Sequence, residues 1–216
     1  MDYKELIQKT EDFMISEFRG EGSGHDWFHI DRVRKMALNL GGQEGCDLFI
    51  VEMAALLHDL DDWKLVQAET HFPSRAEKWL VEMNLEQDVV SKIIQIIEDV
   101  SFKGAGVETP VRSLEAAVVQ DADRLDAMGA IGIARTFAYG GNKKRQIYDP
   151  AVNPVMHEDF HAYQTSSAPT INHFYEKLLL LKDRMNTETA KTIAIGRHQY
   201  MEFYLTQFFE EWEANR

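Results

Sequence analysis

Hydrophobic residues in this chain recur at steps of three and four and almost nowhere in strict alternation, so the pattern predicts helices. Leu6, Ile7, Phe13, Met14 and Phe18 form an opening amphipathic segment that ends in the turn Gly20-Glu-Gly-Ser-Gly24. From Asp26 a second helix carries His29, Val33, Met36, Ala37 and Leu40 along one face, which points His29 where the core residues point. Gly41-Gly42 and Gly45 are expected to break the chain before an apolar helix, Ile50-Val-Glu-Met-Ala-Ala-Leu-Leu57, which finishes in His58-Asp59. Ser74 is the expected cap of a helix through Ala76, Trp79, Leu80 and Met83. Another helix is expected from Gln87 to Val100, where Lys92, Gln95, Glu98 and Asp99 interrupt the isoleucines at helical intervals and argue against a strand. Thr109-Pro110 predicts a helix start, and a helix carrying Leu114, Ala117, Val118, Asp121 and Leu125 brings Asp123 inward near its far end. Gly140 to Pro169 reads as a long irregular connection, a kind of loop that often carries function. Two last helices are expected over 170–185 and 188–213, the second rich in aromatics. With no repeat, low-complexity tract or linker, the simplest account is one all-α domain, a single compact helical bundle over 1–216.

Composition narrows what such a bundle can do. With 44% hydrophobic residues and 5 prolines among 216 residues the chain is globular and long enough to bury a substantial core. The formal net charge is −13, from 36 acidic against 23 basic residues, so the surface should repel a phosphate backbone and bulk nucleic acid is not an expected partner. A small phosphate ester is compatible, because a metal and a few local cations outweigh a distant negative surface. Cys46 is the only cysteine, which rules out an intrachain disulfide and a Cys-rich zinc motif. The first residues lack a signal sequence, and no apolar run approaches the roughly 20 residues needed to cross a bilayer. The expectation is a cytoplasmic protein with no membrane partner.

The chemistry lies in four residues. His29, His58, Asp59 and Asp123 come from three predicted helices, which is how bundles build metal sites, by projecting ligands inward from facing elements. Consecutive helical residues diverge by about 100°, so His58 and Asp59 can serve one ion only near a helix end or bend. Imidazole nitrogens with carboxylate oxygens suit a borderline or hard divalent cation: manganese as first choice, or iron, nickel, zinc, cobalt or magnesium. Two His and two Asp leave such a site near neutral, with positions open for water and a phosphoryl oxygen. His25 and Asp26 read as caps or braces of the His29 helix. The basic run Lys143-Lys-Arg145 reads either as a phosphate clamp or as a solvated face. His173 and Lys177 share a helical face that could reach the site. Tyr200, Phe203, Tyr204, Phe208 and Trp212 read as core or as a homodimer surface.

The order His29, His58-Asp59, Asp123 resembles the HD superfamily of metal-dependent phosphohydrolases. The contexts His25-Asp-Trp-Phe-His-Ile-Asp-Arg-Val33, His58-Asp-Leu-Asp-Asp-Trp-Lys64 and Gln120-Asp-Ala-Asp-Arg-Leu-Asp-Ala-Met-Gly-Ala-Ile-Gly132 are similar to small bacterial HD hydrolases, including nucleotide pyrophosphohydrolases. The resemblance implies an all-helical HD domain, one divalent metal, and hydrolysis of phosphate esters or anhydrides. It selects Asp123 over its neighbours Asp121 and Asp126. It places Asp62 where a carboxylate positions or deprotonates the attacking water, with a solvated acid as the alternative. Lys64 and Arg124 would contact phosphate or brace the ligands, while Asp61 reads as exposed. Branches with two metals add histidines that the stretch from Trp79 to Pro110 lacks. The expected reaction takes a nucleoside triphosphate to monophosphate and pyrophosphate. The alternatives are an HD phosphodiesterase or phosphomonoesterase on another small phosphate ester, and a nucleotide-sensing module without turnover.

Overall fold

The fold is that of a computed structural model, which describes residues 2–20, 26–61, 74–100, 111–155 and 168–215. Among these residues there is no strand, and the all-α expectation holds. Six helices come first: α1 (Tyr3–Glu17), α2 (Trp27–Glu44), α3 (Leu48–Leu57), α4 (Ser74–Glu82), α5 (Gln87–Val100) and α6 (Leu114–Asp126). They are followed by α7 (Gly129–Asn142), a short α8 (Asn172–Glu176), a 3-10 helix (Leu178–Arg184) and the long α9 (Glu188–Trp212). The chain divides into two compact units, the first holding α1 to α5 and α6 as far as Asp123, the second the rest of α6 and all later elements.

In the first unit α3 is the central helix, packed against α1, α2 and α5. Its residues from Met53 to Leu57 are all fully buried, so no face of its second half meets water. Each such leucine contributes about 2 kcal/mol through burial. Local capping sets where the helices begin. Asp2, Asp26 and Asp47 each accept a backbone N–H of their own first turn, Asp26 from His29 at 2.9 Å. Asp26 thus braces the helix of His29, as expected, while His25 lies outside the described residues. Arg34 of α2 joins Glu11 of α1 at 2.9 Å to Glu52 of α3 at 2.7 Å. Burial works against the Arg34 charge, but hydrogen bonds and attraction from Glu52 and Glu11 outweigh it and raise its pKa above the usual arginine value.

Several boundaries differ from the sequence reading. Gly41-Gly42 does not break α2, which runs on to Glu44 and stops at Gly45 in a left-handed conformation, φ 80°. The Gly45 and Cys46 N–H groups both donate to the Gly41 carbonyl at 2.9 Å, closing the helix end. Gly41 serves packing instead, because a Cβ there would sit 3.2 Å from Leu48 Cδ2. α6 begins at Leu114, not at Pro110, and its cap is Ser113, whose hydroxyl accepts the Ala116 N–H at 3.1 Å. Leu114 itself is exposed, while Thr109 and Pro110 lie outside the described residues.

Cys46 follows Gly45, the residue that ends α2. Burial, with Glu115 and Glu44, pushes its thiol up to about 11. The thiolate is the reactive form, so alkylation by iodoacetamide should keep rising about tenfold per pH unit to roughly pH 10. A rate that levels off near pH 8.5, the usual thiol value, would contradict this burial.

In the second unit α9 packs on α7 and on the 3-10 helix. α7 extends to Asn142, so only residues 143–155 and 168–169 of the expected long connection are seen as irregular chain. The helix expected over 170–185 is two pieces, because Lys177 takes φ −143° and ψ −58°, off the α-helical path, and a tighter 3-10 helix follows. The aromatic stripe of α9 divides between two faces. Tyr204 and Phe208 join Phe137, Phe174 and Tyr148 in a cluster of rings, whereas Tyr200 and Phe203 are exposed, Phe203 at 66%. Among the described residues no helix is long and apolar enough to cross a membrane.

Candidate metal centre

α3 ends at Leu57, and His58 and Asp59 occupy the turn that follows, where the Leu60 N–H reaches the Leu57 carbonyl at 3.1 Å. This is the bend that two adjacent ligands require. His58 and Asp59 are buried, as is His29 on the inward face of α2. One ligand atom from each of the three lies within 4.8 Å of the others. His29 Nε2 is 3.2 Å from Asp59 Oδ2, and His58 Nε2 is 3.5 Å from Asp59 Oδ1, so the carboxylate sits between two imidazoles. Asp123, the last residue of α6 within the first unit, brings Oδ1 to 3.5 Å from His29 Nε2 and is the most open of the four, its side chain 33% exposed.

These separations fit a shared ion. Atoms held about 2.1 Å from one tetrahedral or octahedral cation lie roughly 3.0–3.4 Å apart. The tautomer of His58 also fits. Its Nδ1 lies 2.8 Å from the Ala55 carbonyl, which can only accept, so Nδ1 carries the proton and Nε2 presents its lone pair to the cluster. That buried Nε2 has no hydrogen-bond partner among the described residues. An orphaned imidazole nitrogen in a closed site is costly unless a cation or another donor meets it.

Asp62, Lys64, His71, His157 and His161 lie outside the described residues. Arg124 is in the second unit and donates to the Arg184 carbonyl, so it braces the end of the 3-10 helix. Lys143 and Arg145 flank the Tyr139 ring, 5.7 and 5.6 Å from its centroid, and Lys144 is exposed with φ 56°. Lys177 closes α8 and His173 is half-buried on it. Asp126 is engaged by Arg135 at 2.7 Å.

One acid was misplaced by the sequence reading. Asp61 is not exposed but buried, and its carboxylate accepts the backbone N–H groups of Arg75 and Ala76 at the start of α4, each at 3.0 Å through Oδ2. No local pattern announces this cap, because its partners are 14 and 15 residues away.

A helical unit that closes two histidines and an aspartate around one point, with a second aspartate at its rim, is the architecture of a metal-dependent HD hydrolase domain. The HD-domain profile matches residues 27–128, which contain all four. The chain belongs to the HD superfamily. It is 41% identical over 208 residues to the Bacillus subtilis protein YpgQ, covering 94% of this chain and 93% of that one. Among solved structures, an HD-superfamily hydrolase from Bacillus thuringiensis is similar with a TM-score of 0.77 and 46% identity, covering 98% of this chain and 99% of that one. A Lactobacillus plantarum protein has a TM-score of 0.87 at 37% identity, covering 99% and 100%. The structure of YpgQ in complex with ADP has a TM-score of 0.76 at 37% identity, covering 95% and 97%.

Proposed function

We propose that this chain is a metal-dependent nucleotide pyrophosphohydrolase, a single HD-type catalytic domain over 1–216 that converts nucleoside triphosphate and water to nucleoside monophosphate and pyrophosphate. The observation that carries the reading is the convergence of His29, His58 and Asp59, with Asp123 beside His29. The ADP bound by YpgQ supports a nucleotide as the ligand class.

His29, His58, Asp59 and Asp123 would hold one divalent ion, with manganese preferred. When bound, such an ion lowers the pKa of coordinated water and offsets charge on phosphoryl oxygens. The protein supplies the orientation. The Ala55 carbonyl holds the His58 ring with Nε2 inward, and burial of His29, His58 and Asp59 keeps bulk water from their ligand atoms. In the proposed step the water oxygen bonds to one of the two phosphorus atoms that share the α–β bridging oxygen, the bond from that phosphorus to the bridging oxygen breaks, and the other product leaves with that electron pair. Asp62 takes the water proton. Lys64 offsets the polyphosphate charge.

The test is a panel of nucleoside tri-, di- and monophosphates incubated with Mn²⁺, with pyrophosphate and phosphate measured separately. Monophosphate and pyrophosphate should appear in equal amounts from a triphosphate. Release of inorganic phosphate from a monophosphate would make the protein a phosphomonoesterase instead. Tight nucleotide binding without product over a long incubation would make it a sensor.

A further inference from the structure

The turn His58–Asp61 follows the last residue of α3, so the relative placement of His58 and Asp59 depends on what restrains the turn from outside. Two restraints come from one residue. Arg75 donates from its guanidinium to the Leu60 carbonyl at 3.1 Å, and its backbone N–H donates to the Asp61 carboxylate at 3.2 Å through Oδ1 and 3.0 Å through Oδ2. Ala76 adds its own N–H to Asp61 Oδ2 at 3.0 Å. The two residues that directly follow the ligand pair are therefore both tied to the start of α4.

α4 is itself held firmly. Trp79 stacks on Phe13 of α1 with centroids 4.0 Å apart, and its indole N–H donates to Thr10 Oγ1 at 3.0 Å. The Arg75 guanidinium also pairs with Glu17, the last residue of α1. A carboxylate buried at a helix N-terminus accepts charge-assisted bonds from amides that lack intrahelical partners, a stiff connection in a place closed to water. Asp61 is 8% exposed.

We propose that Asp61, with Arg75, is a positioning residue for the metal pair: it fixes the turn that aims His58 Nε2 and Asp59 Oδ1 at one point, through α4 and α1. Asp61 touches neither metal nor substrate. The inference rests on the metal reading above, and it concerns how closely the two ligands are held before the ion arrives. Direct hydrogen-bond partners of metal ligands set metal affinity by roughly 10- to 100-fold, and a restraint on the adjoining turn acts at the lower end of that range.

The experiment titrates Mn²⁺ alone into the metal-free protein by calorimetry, for wild type, Asp61→Asn, Asp61→Ala and Arg75→Gln, beside a melting curve and the KM and kcat of each. Asp61→Ala should weaken Mn²⁺ at least tenfold and lower kcat with little change in nucleotide KM. Asp61→Asn, which keeps one acceptor oxygen, should recover part of the loss, and Arg75→Gln should weaken Mn²⁺ by a smaller factor. If Asp61→Ala does not fold, the asparagine and Arg75 variants carry the same test. Variants that melt lower but bind Mn²⁺ with wild-type affinity would make Asp61 a cap of α4 and nothing more, which overturns the inference. Failure of wild type itself to bind Mn²⁺ is a distinct result and would remove the metal reading instead.

Discussion

Asp59→Asn is expected to lower kcat/KM for nucleotide hydrolysis by about 10³-fold at saturating Mn²⁺, which is about 4 kcal/mol of transition-state stabilisation. Asp59 is the residue through which the two candidate histidine ligands meet, with Oδ2 3.2 Å from His29 and Oδ1 3.5 Å from His58. The amide keeps the size of the side chain but replaces one acceptor with a donor that cannot ligate, and removes one negative charge from the set. Melting curves separate this from general damage. An ion present at 100 times its Kd stabilises the folded state by about 2.7 kcal/mol, roughly 5–10 °C for a chain of this length. Mn²⁺ should therefore raise the Tm of wild type and leave that of Asp59→Asn nearly unchanged, while the two metal-free proteins melt together. Activity within tenfold of wild type would exclude Asp59 from the centre.

Gly132→Ala should destabilise the protein by about 3 kcal/mol or more, the upper range for forcing a group into filled space. The added Cβ would overlap the Ala127 carbonyl, which is backbone and cannot rotate away. The overlap lies in the turn between α6 and α7, where the Ala127 N–H donates to the Arg124 carbonyl at 3.2 Å and the Met128 N–H to the Leu125 carbonyl at 3.0 Å. Gly129 takes φ 68° there, against the stem of Arg197, whose guanidinium donates to the Leu125 carbonyl. Burial pushes the Arg197 pKa below the usual arginine value, with the attraction of Asp126 opposing it. Thermal unfolding measures the effect, and a Tm within 2 °C of wild type, less than about 1 kcal/mol, would show that the turn can open without cost.

Helices whose apolar residues keep a 3.6-residue period were legible in the chain. α5 runs from Gln87 to Val100 as its pattern requires, and α1, α2 and α3 bury most of the residues their spacing pointed inward, with Ile7, Phe13 and Met36 half-buried. α7 was not legible, because its glycines weaken the helical signal and its right to be a helix comes from packing against α9. The same limit explains α8 and the 3-10 helix, where a continuous apolar run hides the change of backbone path at Lys177.

The candidate ligands were readable from residue identity only as a set, since a His-Asp pair alone is as often structural and it is the four-part order His29, His58-Asp59, Asp123 that singles them out. Their order along the chain also led to the HD superfamily. How the four come within reach of one another was not readable, because His29, the 58–59 turn and Asp123 are separated by dozens of residues and meet only through the packing of α2, α3 and α6. Nor was the inward direction of the His58 lone pair, which depends on a carbonyl contact. Asp61 marks the boundary most sharply. Its neighbours in sequence describe a solvent-facing acidic cluster, yet the backbone amides that bury it come from another helix, and a long-range partner leaves no trace in a local pattern. Periodicity and side-chain chemistry are properties of short stretches and survive in the sequence; distance, tautomer and burial arise when remote stretches pack.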